Sequence, residues 1–297
     1  MNGVLIIDKP EGFTSFDVVA VMRRLCSQKK IGHTGTLDPN ATGVLVLLLG
    51  NATKAQDIVP NHDKEYVAGF RLGLTTDTLD IWGEVREESG LLAPRTELEK
   101  ALDSFRGEIE QVPPMYSAVS VNGQRLYDLA RKGVEVERKA RKVVIYELEL
   151  LSFDEEKGEG SLGISCSKGT YVRTLIDDIG RVLGTGAVMT SLRRTKACGY
   201  SLSEAQSLDE LKALGEKGEI ETRLRTTESL FVSYPELSVS DAQAKRFGNG
   251  GALDISRTAL RQKNPAEDTL FRVKDRGGNF LGLGIKKGEN LKIFKLF

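Results

Sequence analysis

Short apolar runs and polar turn clusters alternate along the chain, and each run carries the period of one kind of element. Val4 to Ile7 is a β-type run closed by Asp8-Lys9-Pro10-Glu11-Gly12, which predicts a strand ended by a turn. Val18, Val21, Met22 and Leu25 then recur at the i, i+3, i+4, i+7 spacing of a helix with one buried stripe, and Thr14 or Ser15 stands where its N-cap belongs. Gly32 to Gly43 holds three glycines, a proline and small polar residues, which predicts an irregular loop held by the buried strand Val44 to Leu49. Tyr66, Ala68, Phe70 and Leu72 alternate with Val67, Gly69 and Arg71, the period of a half-buried strand with Tyr66 facing inward. Further on, the pattern predicts a helix over Leu98 to Phe105, extended backbone at Val112-Pro113-Pro114 and a hairpin turn at Asn122-Gly123. A short helix over Leu126 to Arg131 and strands over Val143 to Leu151 and Leu162 to Ser165 follow. Val172, Leu175, Ile176 and Ile179 mark a helix that starts in the Gly169-Thr170 turn and carries Arg173 near its beginning. From about Leu237 short alternating segments with glycine pairs, Gly250-Gly251 and Gly277-Gly278, predict a small β-rich domain.

A length of 297 residues suits one large domain and a smaller one. Cys26, Cys166 and Cys198 are too few and too scattered for a disulfide framework, which fits a reducing cytoplasm. Val44 to Leu49 is the longest apolar run, far short of the roughly 20 residues a membrane span needs, so a cytoplasmic protein that does not act on membranes is expected. No long exposed heptad or second apolar face is evident, and a monomer is expected. The 42 basic and 42 acidic residues cancel overall but not locally. Net charge is +4 over residues 121 to 145, +4 over 165 to 200 and +6 over 241 to 297, a distribution that favours a polyanionic partner such as nucleic acid.

Common hydrolytic and phosphate-binding schemes fail on residue type. No GxSxG or HExxH occurs, and the glycine-containing loop lacks the Gly-Lys-Ser/Thr ending of a phosphate-binding loop. His33, Asp38, His62 and Asp63 could be assembled into a metal site for a nuclease, but the two histidines lack ligand spacing. Asp38 stands out, because Leu37 and Pro39 give it apolar flanks and a restricted backbone that a merely solvating carboxylate does not need, although the residues alone favour a turn or cap aspartate.

Gly32-His33-Thr34-Gly35-Thr36-Leu37-Asp38-Pro39, continuing through Ala41-Thr42-Gly43, resembles the signature of the TruB family of tRNA pseudouridine-55 synthases. Asp8 to Ser15, Leu49 to Lys54, Lys64-Glu65-Tyr66, Pro113 to Ala118, Arg125 to Gly133, Cys166 to Leu175 and Leu192 to Thr195 are similar to further family segments in the same order. Asn40 departs from a frequent leucine and Ser120 from a frequent lysine.

The resemblance implies an α+β pseudouridine-synthase fold over residues 1–232, with a mixed, mainly antiparallel sheet flanked by helices and loops. A PUA-like RNA-binding β domain over 237–297 would follow, placed to reach the tRNA acceptor stem. It implies isomerisation of uridine 55 in the tRNA T loop to pseudouridine by base flipping, cleavage of the glycosidic bond and reattachment through C5, without cofactor or metal. Asp38 is then the essential carboxylate, acting at C1′, on the base or at the C2′ proton. Arg173 pairs with it, Tyr66 stacks on the base and serves as a late general base, and Leu192 floors the pocket. His33 fills the space the base leaves, and Lys9, Lys54, Arg131, Lys132 and Lys168 are candidate phosphate contacts. The rival reading is an RNA-binding or tRNA-folding protein in which catalysis is dispensable. The trio Asp38, Tyr66 and Arg173 argues against it, since binding alone needs none of the three.

Overall fold

The structure, a computed structural model, describes every residue except 118 and 122; Ala118 of the Pro-Pro-Met-Tyr-Ser-Ala segment and Asn122 of the expected hairpin turn therefore lie outside the described residues. Strand β1 (Gly3–Lys9) is followed by helix α1 (Ser15–Leu25). Thr14 caps α1 in a reciprocal box: its side chain accepts from the Asp17 amide while the Asp17 carboxylate accepts from the Thr14 amide. Strands β2 (Ile31–His33) and β3 (Thr42–Leu49) pair antiparallel, so the irregular loop is confined to residues 34–41. The run in β3 is continuously apolar because both faces are covered. Leu45, Leu47 and Leu49 meet Val18 and Met22 of α1, and Val44, Val46 and Leu48 meet Tyr200, Leu230 and Phe231.

Strand β4 (Lys64–Leu72) leads to the hairpin β5 (Leu74–Thr76) and β6 (Val85–Glu88), then α2 (Arg95–Asp103) and β7 (Gly107–Gln111). A small insertion follows, with β8 (Ser120–Val121), β9 (Gln124–Arg125) and α3 (Leu126–Ala130). The long pair β10 (Arg141–Asp154) and β11 (Glu159–Cys166) precedes α4 (Val172–Leu183) and β12 (Ala187–Ala197). Strands β13 (Tyr200–Ser201) and β14 (Gln206–Ser207) and helix α5 (Leu208–Lys217) complete this part. The sheet runs β14-β1-β3-β12-β4-β11-β10-β7, with β2 on β3 and β13 on β12. The pairs β1 with β14 and β3 with β12 are parallel and the other pairs antiparallel, the mixed sheet that was expected. Helices α2 and α4 bury Leu98, Leu102, Leu175 and Ile176 against Ala68, Phe70 and Leu162 on one side, each such side chain contributing about 1.5–3 kcal/mol.

The pattern did not predict β12 or α5. A strand reading of residues 187–197 is broken by Arg193, Arg194 and Lys196, yet Arg194 is the largest fully buried side chain of the molecule. The last part of the chain folds as β15 (Glu236–Ser238), α6 (Asp241–Gly248), β16 (Leu253–Asp254), β17 (Leu270–Lys274), β18 (Phe280–Lys287) and β19 (Asn290–Leu296). Its five-stranded sheet has the order β15-β17-β18-β19-β16 around Leu237, Phe247, Val273 and Leu291. Phe280 and Phe297 pack on Phe231, joining this sheet to the larger one. Among the described residues no helix is long and apolar enough to cross a membrane.

Candidate active site

The 34–41 loop is anchored from three directions. Leu37 is buried, its amide donates to Ser15 Oγ at 2.8 Å, and the Gly12 amide donates to the Pro39 carbonyl at 3.0 Å. From beneath, Arg194 on β12 donates to the carbonyls of Gly35 (3.1 Å), Thr36 (3.2 Å) and Val44 (2.7 Å). The approach of β3 to β12 leaves no room for a side chain at Gly43, where φ is +102° and a Cβ would lie 2.2 Å from the Arg194 carbonyl oxygen. This frame turns Asp38 toward α4, and Asp38 Oδ2 meets Arg173 Nη2 at 3.0 Å.

Arg173 is buried and held by three separate loops. Its Nη1 donates to the Thr78 carbonyl at 3.1 Å and its Nη2 to the Tyr116 carbonyl at 3.0 Å, while Asp80 Oδ2 lies 3.6 Å from Nη1. The planar fork suits this arrangement, because one guanidinium presents five donors in fixed directions. Leu79, between Thr78 and Asp80, has φ 65°, a left-handed backbone that costs a non-glycine residue about 1–2 kcal/mol. Burial pushes the Asp80 carboxyl above the usual range, against the pull of the Thr78 hydroxyl and Arg173.

A cleft of about 470 Å³ opens over this pair, lined by Asp38, Tyr66, Lys168, Arg173 and Leu192 among others. Tyr66 sits on β4 between Ile164 of β11 and Arg194 of β12. Burial raises its phenol above the ordinary value, and the neighbouring Arg194 works the other way. His33 ends β2 beside the cleft, with a buried Nδ1 that has no hydrogen-bond partner, and burial, then Arg194, lower its pKa.

The other expected contacts do not gather here. Lys9 is a correction: it is fully buried, and its Nζ donates to the carbonyls of Pro10 (2.8 Å), Phe13 (2.6 Å) and Pro39 (3.0 Å), so it staples the loop and cannot reach a phosphate. Burial pushes its pKa down to about 8. Lys54 Nζ donates to the Leu296 carbonyl at 3.1 Å, where the two sheets meet. Arg131 lies over the Tyr127 ring, 5.5 Å from its centroid, and Lys132 flanks a separate surface depression with Gly123 and Asp128. Among the described residues no three His, Cys, Asp or Glu side chains converge as metal ligands.

Sequence reading missed Asp80 and Arg194. Asp80 lies in a run of turn formers that gives no sign of folding back onto a helix more than ninety residues away. Arg194 did carry a signal. Once Leu192 is taken as inward-facing, strand alternation turns Arg194 inward as well, and leaves Arg193 outside, where it pairs with Asp8 at 2.8 Å.

Comparison with known proteins bears on what this cleft does. The sequence model described as TruB family pseudouridylate synthase (N terminal domain) matches residues 23–172, and that of the tRNA pseudouridylate synthase B C-terminal domain matches residues 173–231. The chain is 41% identical to tRNA pseudouridine synthase B of Clostridium kluyveri over the whole of both chains. To the protein of that name from Pseudomonas aeruginosa it is 42% identical over 96% of this chain and 91% of the relative. Two solved structures share the fold at a TM-score of 0.73, each covering 99% of this chain and 84% of the other. One is an H/ACA RNP bound to a substrate RNA containing 2′-deoxyuridine (24% identity), the other a Cbf5-Nop10-Gar1 complex (25%). The chain therefore belongs to the TruB family of pseudouridylate synthases, and with it to the tRNA pseudouridine synthases, a class of isomerase.

Proposed function

We propose that this synthase acts on uridine 55 of the tRNA T loop, with Asp38 as its essential carboxylate. The observation that carries this reading is the ion pair of Asp38 with a buried Arg173 at the base of an open cleft. Opposite charges about 4 Å apart attract by roughly 4 kcal/mol at an effective dielectric near 20, before desolvation, which fixes the direction in which the carboxylate faces the cleft. Uridine 55 is flipped into the cleft, stacks on Tyr66 and rests on Leu192, while His33 fills the gap left in the loop. The C1′–N1 bond breaks with help from Asp38, the uracil turns, and a C1′–C5 bond forms. The hydrogen of C5 is then lost to water and N1 is protonated. As the late base at C5, Tyr66 must pass through a phenolate, which Arg194 eases. Lys168 supplies a phosphate contact at the wall of the cleft, and Lys54, Arg131 and Lys132 supply contacts away from it. Residues 237–297, with a net charge of +6 over 241 to 297, carry the acceptor stem. The enzyme works as a cytoplasmic monomer, without cofactor or metal.

A tRNA transcript tritiated at uridine C5 tests this directly. One tritium released per tRNA, mapped to position 55 and unaffected by EDTA, is the expected result. Release mapped to another position would remove the site assignment.

Asp80→Asn tests the second carboxylate on Arg173. With the charge gone, Arg173 keeps one anionic partner and the Asp80 end of its fork loosens. A fall in kcat of about ten- to a hundredfold, with tRNA affinity unchanged, is expected in single-turnover assays. Parental kcat would mean that the carbonyls of Thr78 and Tyr116 suffice to hold the guanidinium.

A further inference from the structure

The register of the sheet gathers two lysines and a histidine on one wall of the cleft. Lys64 opens β4 and lies opposite Cys166 of β11 on one side and Ala197 of β12 on the other. His62 is two residues before Lys64, and Lys168 is two residues beyond Cys166. All three line the cleft that holds Asp38 and Arg173, and Lys64 Nζ donates to the His62 carbonyl at 2.9 Å, fixing these neighbours side by side. The ion pairs nearby are made by other cations, Lys196 with Glu65 and Arg173 with Asp38 and Asp80; His62, Lys64 and Lys168 make none among the described residues.

Like charges gathered in a partly desolvated wall repel unless an anion is brought between them. We infer that His62, Lys64 and Lys168 form a seat for a phosphodiester of the strand that carries the flipped nucleotide, and that His62 takes up a proton when this phosphate arrives. The inference rests on the reading that the cleft receives a flipped tRNA nucleotide.

Two acids are close by. Asp63 receives the Tyr146 hydroxyl at 3.2 Å, and Asp57 lines the same cleft. In the free protein burial holds the His62 imidazole below its ordinary range, with Lys168 and Lys64 adding to this and Asp63 and Asp57 opposing it. Burial, then Arg194, lowers the Lys64 ammonium as well. A phosphate oxygen between these groups raises the imidazole pKa, so binding takes up a proton. Affinity for RNA therefore rises as pH falls through the interval between the bound and free values of His62.

The test is tRNA affinity measured against salt at pH 6 and pH 8, in an Asp38→Asn background so that turnover does not intervene. Lys168→Ala and Lys64→Met should each weaken binding about three- to tenfold near 0.1 M salt, and each should reduce the slope of log K on log salt by about 0.7–0.9. His62→Gln should abolish the tightening between pH 8 and pH 6, although His33 is still present. An unchanged salt slope in Lys168→Ala, or a pH dependence that survives in His62→Gln, overturns the inference. Lys168 is exposed and His62 half-buried, so these two readouts stand even where Lys64→Met fails to fold. Failure of the functional reading appears elsewhere, as absent tritium release from the parent enzyme.

Discussion

Asp38→Asn is expected to lower tritium release by at least about a thousandfold while tRNA affinity stays within a few-fold of the parent. The amide has the shape of the carboxylate and its oxygen can still accept from Arg173 Nη2, so the loop and the cleft keep their form. What is lost is the negative charge, and with it the nucleophilicity or basicity needed to attack C1′, add to the base or take the C2′ proton. Each of these routes needs an ionised oxygen beside the sugar, so the prediction holds whichever is followed. Affinity is spared because most of it comes from phosphate contacts along the RNA, and the neutral amide removes a negative charge from a site that polyanions approach. Gel shift or fluorescence titration separates the two quantities. Turnover at the parental rate would take Asp38 out of the reaction, whereas loss of binding together with turnover would mean that the variant has disturbed the loop.

The sequence was most informative where one period governs a whole element. Helices α1 and α4 and strands β1, β3 and β4 carry apolar stripes or runs that show without tertiary knowledge, although α4 also buries Arg173 and Asp177 and β1 buries Lys9. Strand β12 buries a guanidinium where that rule expects an apolar residue, and it disappears from the pattern for the same reason that it matters to the cleft. Lys9 was misread although β1 contained the clue. Leu5 and Ile7 face the core shared with α1, and alternation puts Lys9 on that face, away from any ligand. Asp38 and Arg173 were singled out by their motifs, but the contact between them joins positions 135 residues apart in the chain, and it followed from the family resemblance, since no local rule contains it. The same holds for the carbonyls of Thr78 and Tyr116, whose service to Arg173 depends on backbone position and not on residue type.

Arg194→Met is expected to destabilise the protein by about 3 kcal/mol or more and to remove most of the activity of the molecules that still fold. Methionine fills a similar volume without donors. The Val44 carbonyl would be left in the interior without its partner, at a cost of about 1–3 kcal/mol, the carbonyls of Gly35 and Thr36, which border the cleft, would lose theirs at smaller cost, and the sum is partly offset because a cation no longer has to be buried. Two of these carbonyls lie within three residues of Asp38, so relaxation that rehydrates them moves the carboxylate relative to Arg173. A displacement of about 1 Å at such a pair can reduce a rate by roughly a hundredfold. Arg194→Lys discriminates charge from geometry. A single ammonium retains the positive field under Tyr66 but cannot span three carbonyls in fixed directions, so stability should recover in part and activity much less. The urea midpoint and tritium release measured on the same samples resolve the two effects. Parental stability and activity in Arg194→Met would place the support of the loop on Ser15 and Lys9, which hold its other side.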